Sequence, residues 1–158
     1  MELMKHILYW LWRILPLTKS MRSCLMWLIN AKFVVGTSIL IQNDAGEILL
    51  FKHSYRKGIP WGFPGGYMIR GENPDQAIQR ELMEESGFEI KNLKLIEVIQ
   101  SKEMARMEML FSGVLEDDRL FVPSKEVAEA RFFSPDQLPE LIPEHQAIID
   151  RHLPTHLR

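Results

Sequence analysis

Three glutamates, Glu81, Glu84 and Glu85, stand at i, i+3 and i+4 spacing. In a helix this spacing puts all three on one face. Like charges placed so close destabilise an isolated helix, each pair by roughly 0.2–0.5 kcal/mol. No apolar packing role accounts for them. A hard divalent cation does, because Mg²⁺ takes oxygen ligands and is commonly shared between carboxylates and a phosphate-bearing substrate. Three acids on one face also describe an ordinary solvated helix, so their surroundings must decide between the two.

The element that would position them has clear ends. Asn73 suits an N-cap, Pro74 the first helical position, and Gln76 the return arm of a capping box. Gly87 supplies the stop. A helix is therefore predicted between them. Upstream, Phe33 to Ile41 is a continuous apolar, β-branched run, Asn43-Asp44-Ala45-Gly46 reads as a turn, and Glu47 to Lys52 as a return strand, so a hairpin is expected. A loop over His53 to Trp61 leads to Gly65 and Gly66, with at most a small strand from Tyr67 to Arg70. Downstream, strands are expected over Leu93 to Gln100, Met107 to Leu115 and Ala130 to Phe133. A turn or short helix is expected over Pro135 to Leu141, and an amphipathic helix over Pro143 to Leu153. Strands interleaved with a few helices argue for a mixed α/β sandwich.

In this context residues 66 to 88 read Gly66-x5-Glu72-x7-Arg80-Glu81-Leu82-x-Glu84-Glu85-x-Gly87-Phe88. The run resembles the signature of the Nudix (MutT-like) hydrolases at every specified position. Seven fixed identities arise by chance on the order of once in ten million chains of this size. Phe63-Pro64-Gly65 also matches the family's approach to its box. The resemblance covers roughly Phe33 to Leu153. It implies an α/β fold, a Nudix-like α/β/α sandwich with a mixed central sheet, here carrying an N-terminal helical extension. It further implies that Glu81, Glu84 and Glu85 hold Mg²⁺ or Mn²⁺ together with the carbonyl of Gly65. Arg80 would be structural, reaching Glu84 or folding back on Glu72, and Glu72 could share second-rank or base duty. The family often adds a downstream acid as ligand or base. Glu126, six residues before an aromatic expected to open the last strand, fits best, with Glu103, Glu108 and Glu129 as rivals. Glu81 is the first choice for the base and Glu126 the second.

The implied reaction is hydrolysis of a diphosphate bond in a nucleoside diphosphate linked to another group: a nucleotide sugar, a dinucleotide or a nucleoside triphosphate. The family's substrate markers are not met. Lys102 and Glu103 stand where ADP-ribose hydrolases carry a proline, and Met104 lies where a dinucleotide-polyphosphate marker has tyrosine. The coenzyme A motif is met by Leu49, Leu50 and Ser54, but His53 replaces its arginine. Arg56, Lys57 and Arg70 are the candidate phosphate cations. Trp61, Phe63 and Tyr67 are read as packing residues more than as base stackers, and His145 and His152 as decoration of the last helix.

The remaining chain constrains partners. With 46% apolar and 25% charged residues and a net charge of −2, the 158 residues describe a globular domain rather than a nucleic-acid glove, so no DNA partner is expected. One cysteine, Cys24, precludes an internal disulfide or a cysteine-based zinc site and makes a reducing cytoplasm the expected location. Residues 1–32 hold five basic residues and one acid, a net +4 that leaves −6 for residues 33–158. Arg13, Lys19 and Arg22 interrupt every window long enough to span a membrane. Two amphipathic helices are expected instead, over Glu2 to Leu15 and Ser20 to Ile29. They would pack on the body or in a homodimer, or else lie on a membrane surface as peripheral, basic, Trp-bearing helices. Two other functions are therefore kept: a catalytically silent nucleotide sensor, and a membrane-associated hydrolase of a lipid-linked diphosphate.

Overall fold

The computed structural model describes residues 6–7, 9–10, 18–101, 105–116 and 120–153. The chain divides into two units, Met1–Lys32 and Phe33–Arg158. Within the first, the helix expected over 2–15 lies largely outside the described residues; His6, Ile7, Tyr9 and Trp10 are helical. Helix α1 spans Lys19–Ile29. Thr18 caps it, its Oγ1 accepting from the Met21 N–H at 3.3 Å. Lys32 closes the other end, donating to the Leu28 carbonyl at 3.1 Å with its Nζ 4.8 Å from the centre of the Trp27 ring. No helix among the described residues is long and apolar enough to cross a membrane.

The second unit runs β1 (Val34–Ile41), β2 (Ile48–His53), β3 (Trp61–Gly62), β4 (Gly65–Tyr67), α2 (Pro74–Ser86), β5 (Ile90–Gln100), β6 (Arg106–Leu115), β7 (Val127–Phe133) and α3 (Pro143–His152). Two sheets form. One is mixed, in the order β4-β1-β6-β5, with β1 parallel to β6 and the other pairs antiparallel. The second is antiparallel, in the order β3-β2-β7.

The alternation of side chains along β1 and β2 builds two cores. Ile39, Ile41, Leu49 and Phe51 pack with Ile78 and Leu82 of α2. Leu40, Ile48 and Leu50 point the other way and pack with Ile148 and Ile149 of α3. Strands buried on both faces read as unbroken apolar runs, which is why these two show no polar alternation. The result is helix, strands, helix in layers, the expected α/β/α arrangement.

The expected hairpin is not formed. Beyond the turn, β1 and β2 share a single bridge, Gln42 to Ile48, and then enter different sheets. Each strand offers two apolar faces and two edges. β1 satisfies its edges with β4 and β6, and β2 with β3 and β7, so neither remains for the other. Residues 135–137 form a turn without a helix. The last strand opens at Val127, not Ala130, so Glu126 immediately precedes it and Phe132 lies in its interior.

Helix α2 has the ends its sequence predicts. The Gln76 carboxamide accepts from the Asn73 N–H at 2.9 Å, and Gly87 adopts φ 73°, with its N–H on the Met83 carbonyl. A left-handed residue at that place is what glycine supplies at no steric cost.

Candidate active site

The face of α2 that bears the glutamates lies beside β4, and two glycines let it come close. Gly65 sits at φ +146°, and a Cβ there would overlap the Thr37 carbonyl oxygen and come 2.8 Å from Ser38 Cα. A Cβ on Gly66 would overlap the Glu81 carboxylate. The pair of glycines is thus the clearance between the sheet and the acid-bearing helix.

Arg80 organises the acids. It grips Glu72 with two bonds, Nε to Oε2 at 3.1 Å and Nη2 to Oε1 at 2.9 Å. Its Nη1 donates to Glu81 Oε1 at 2.8 Å and Glu84 Oε2 at 3.3 Å, and Nη2 reaches the Tyr67 carbonyl at 3.1 Å. Glu72 Oε1 also accepts from the Ile69 N–H at 2.6 Å. These bonds, that from Arg80 foremost, hold the Glu72 carboxyl below its ordinary range, and Glu72 in turn holds the Arg80 guanidinium firmly protonated. Both alternatives expected for Arg80 are therefore realised together.

Glu85 differs from its neighbours in being buried. One oxygen accepts from the Gly65 N–H at 3.2 Å, and the other lies 3.9 Å from Nδ1 of the buried His53. Burial, helped by the charges of Glu81 and Glu126, pushes its pKa up to about 8 against the pull of the Gly65 N–H and Arg56. Burial and the nearby Arg56 push His53 the other way, to about 4, so it is a neutral neighbour.

Glu81, Glu84, Glu85 and Glu126 line one cavity of about 250 Å³. Glu126 is delivered by the second sheet, its carbonyl accepting from the Ser54 N–H at 2.8 Å. Four carboxylates around one space are a donor set suited to a hard divalent cation, and the charges of Glu81 and Glu126 add to the burial that raises the Glu85 pKa. Among the described residues no three such groups are already gathered into a formed ion site; Arg80 occupies Glu81 and Glu84.

A larger cavity of about 570 Å³ adjoins, sharing Glu81, Glu84 and Glu126 and adding Arg56, Tyr67, Arg106, Glu108 and His145. Arg56 Nη1 is buried with no hydrogen-bond partner in the protein. Lys57 and Arg70 are exposed and line neither cavity. Of the rival acids, Glu129 is bound to Lys52 and Arg131, Glu108 is paired with Arg106, and Glu103 lies outside the described residues.

Several lining residues escape a reading of the sequence. His145 does not decorate α3: it is buried, its Nδ1 accepts from the Phe63 N–H at 3.3 Å, and burial followed by Arg56 drives its pKa to about 3. Its position three and four residues before Ile148 and Ile149 places it on the apolar face, which was the available signal. Arg106 and Glu108, two apart on β6, share a face; a charged same-face pair in an otherwise apolar strand was theirs. Phe63 is buried, as a packing residue should be, while Tyr67 stands half-exposed at the cavity under the Arg106 guanidinium. His152 bonds Glu97 at 2.8 Å on the surface.

The model of the NUDIX domain matches residues 32–154. A Bacillus subtilis protein provisionally named 8-oxo-dGTP diphosphatase is 31% identical over 108 residues, which cover 68% of this chain and 70% of that protein. NAD-capped RNA hydrolase NudC of Pectobacterium carotovorum is 35% identical over 102 residues, 61% of this chain but only 37% of NudC. Among solved structures, a MutT NUDIX hydrolase from Burkholderia pseudomallei superposes with a TM-score of 0.67 at 23% identity, over 77% of this chain and 98% of that one. With its acid-bearing helix, its glycine clearance and its layered fold, the chain belongs to the NUDIX family and is a pyrophosphohydrolase acting on phosphoric anhydrides.

Proposed function

We propose that this enzyme hydrolyses the diphosphate bond of a nucleoside diphosphate linked to a second group, using Mg²⁺ or Mn²⁺ held by Glu81, Glu84, Glu85, Glu126 and the carbonyl of Gly65. The observation that carries this reading is the single cavity lined by four glutamates from two separate elements, open to a second cavity that bears arginines. A bound divalent cation would polarise the phosphoryl oxygens and acidify a water for in-line attack.

The chain's own groups do the rest. Arg80, anchored on Glu72, fixes the direction of Glu81 and Glu84. Glu81 takes the proton of the attacking water, with Glu126 as the alternative base, and the carboxylates titrate as a group. Arg56 offers its unpaired Nη1 to a phosphoryl oxygen, and Lys57 and Arg70 act, if at all, from the rim on a longer substrate. Residues 1–32 are a separate unit that carries no chemistry.

A phosphate-release screen over nucleotide sugars, dinucleotides and nucleoside triphosphates, with Mg²⁺, with Mn²⁺ and in EDTA, tests this reading. Turnover of at least one class is expected with either metal and none in EDTA. Undiminished turnover in rigorously chelated buffer, or none on any class with either metal, overturns it.

A further inference from the structure

A third cavity of about 410 Å³ opens beside the one that holds Arg56, and the same four residues, Ser38, Arg106, Glu108 and His145, line both. Its walls differ in chemistry from the carboxylate cleft, with Ile99, Ile142 and Ile148 among them. An apolar cavity with a few convergent polar groups suits a flat, uncharged moiety whose edge must be read.

Among its polar lining, which includes Gln100, Ser101 and Glu144, Arg106 and Glu108 form a fixed pair. Arg106 and Glu108 are ion-paired side by side on β6, and both bonds from Arg106, through Nε and Nη2, fall on Glu108 Oε2. Oε1 takes neither. The backbone makes room for the carboxylate: Glu108 stands opposite Gly36 across the β1–β6 ladder, and a Cβ there would meet Oε2 at 2.5 Å. The Arg106 guanidinium lies 5.5 Å from the centre of the Tyr67 ring, which steadies it from the solvent side.

A carboxylate accepts hydrogen bonds and cannot donate; a guanidinium donates and cannot accept. Set next to each other, with Oε2 filled by Arg106 and Oε1 open, they complement an edge whose two adjacent N–H donors converge on Oε1 beside an oxygen acceptor that takes a remaining Arg106 N–H. The N2–H, N1–H and O6 edge of guanine has that order. Adenine presents an acceptor, N1, where Glu108 offers only lone pairs. Resting on the function proposed above, we propose that this cavity receives the base of the substrate and that the Glu108–Arg106 pair selects guanine over adenine.

The test compares kcat/KM for GTP, ITP and ATP with Mg²⁺ in the full chain and in Glu108→Gln. ITP keeps N1–H and O6 but lacks the N2 amine. A site built to hydrogen-bond a donor rejects an analogue without it strongly, so wild type should prefer GTP to ATP by roughly 100-fold or more, with ITP between. Glu108→Gln, whose amide brings one acceptor and one donor, should cut the GTP value at least ~10-fold and shrink the GTP/ATP ratio by a similar factor. A wild-type ratio near one, or a ratio unchanged in Glu108→Gln, overturns the inference while leaving the hydrolase reading intact. The wild-type ratio needs no variant, so a misfolded Glu108→Gln would not shield it. If none of the three is hydrolysed, calorimetric titration with GMP and AMP decides separately. GMP bound at least ~10-fold tighter, with the difference lost in Glu108→Gln, supports the cavity; equal affinities, or no binding of either, overturn it.

Discussion

Gly65→Ala should be far more damaging than the gain of one methyl group suggests. Gly65 lies at φ +146°, a region costing a side-chain-bearing residue about 1–3 kcal/mol. That is only the first part. The new methyl would also overlap the Thr37 carbonyl and sit 2.8 Å from Ser38 Cα, both backbone atoms of a buried strand that cannot rotate aside. Relief requires β4 to lift from β1, and the two are joined by only three residue pairs, ending at Ser38–Gly65. Losing about two backbone hydrogen bonds there adds about 2 kcal/mol, for a total of roughly 3–5 kcal/mol. In a chain of this length that lowers Tm by roughly 6–20 °C. Gly46→Ala is the matched control: its φ is +76°, but nothing lies within 4 Å of the added carbon, so about 1–2 kcal/mol of backbone strain is the whole cost. Urea unfolding followed by circular dichroism measures both. If Gly65→Ala falls within about 1 kcal/mol of Gly46→Ala, steric closure between β4 and β1 is not what this glycine prevents.

Glu81→Gln, Glu84→Gln and Glu85→Gln should each lower kcat by orders of magnitude with unfolding midpoints equal to or above wild type, since the glutamine oxygen still accepts from Arg80 or the Gly65 N–H while a crowded or buried carboxyl is removed; near-wild-type turnover in all three would remove the metal-site assignment. Arg80→Ala should lose both activity and urea midpoint, because it releases the bonds to Glu72, Glu81, Glu84 and Tyr67 at once, and an unchanged midpoint would show that the guanidinium does not organise the acids. His145 is neutral in the fold, with its pKa pushed to about 3, against about 6.5 when unfolded. The unfolded chain therefore binds the extra proton, and the stability this residue contributes is complete above pH 6.5 and falls by up to ~1.4 kcal/mol per pH unit as pH drops toward 3. His145→Gln should flatten that acid limb between pH 4.5 and 6.5, and a slope equal to wild type would show that His145 is not protonated on unfolding.

What could be read from the chain, and what could not, divides by distance along it. Asn73, Pro74, Gln76 and Gly87 lie within one helix length of the glutamates they position, so the helix and its acid face were legible. The partners of β1 and β2 were not, because an apolar run states that both faces are buried but not which edge meets which strand. His145 lies 82 residues from the Phe63 N–H it accepts from. No local spacing rule links a last helix to the short loop between β3 and β4. Arg80's grip on Glu72, eight residues back across the start of the helix, was within reach of the pattern; its additional bond to the Tyr67 carbonyl needed the fold.

Among the described residues of the second unit, Gln42 to Ile48 is the one ladder bridge between its two sheets, which lie like two covers. The helix glutamates ride on one cover, packed over β4 and β1, and Glu126 rides on the other at the head of β7. Their separation is therefore set by how tightly side chains fill the gutter between the covers, not by any run of backbone hydrogen bonds. A cation bridging Glu126 to the helix acids would act as a clasp. Thinning the shared core at Val127 or Ile78 would loosen that clasp before either sheet came apart.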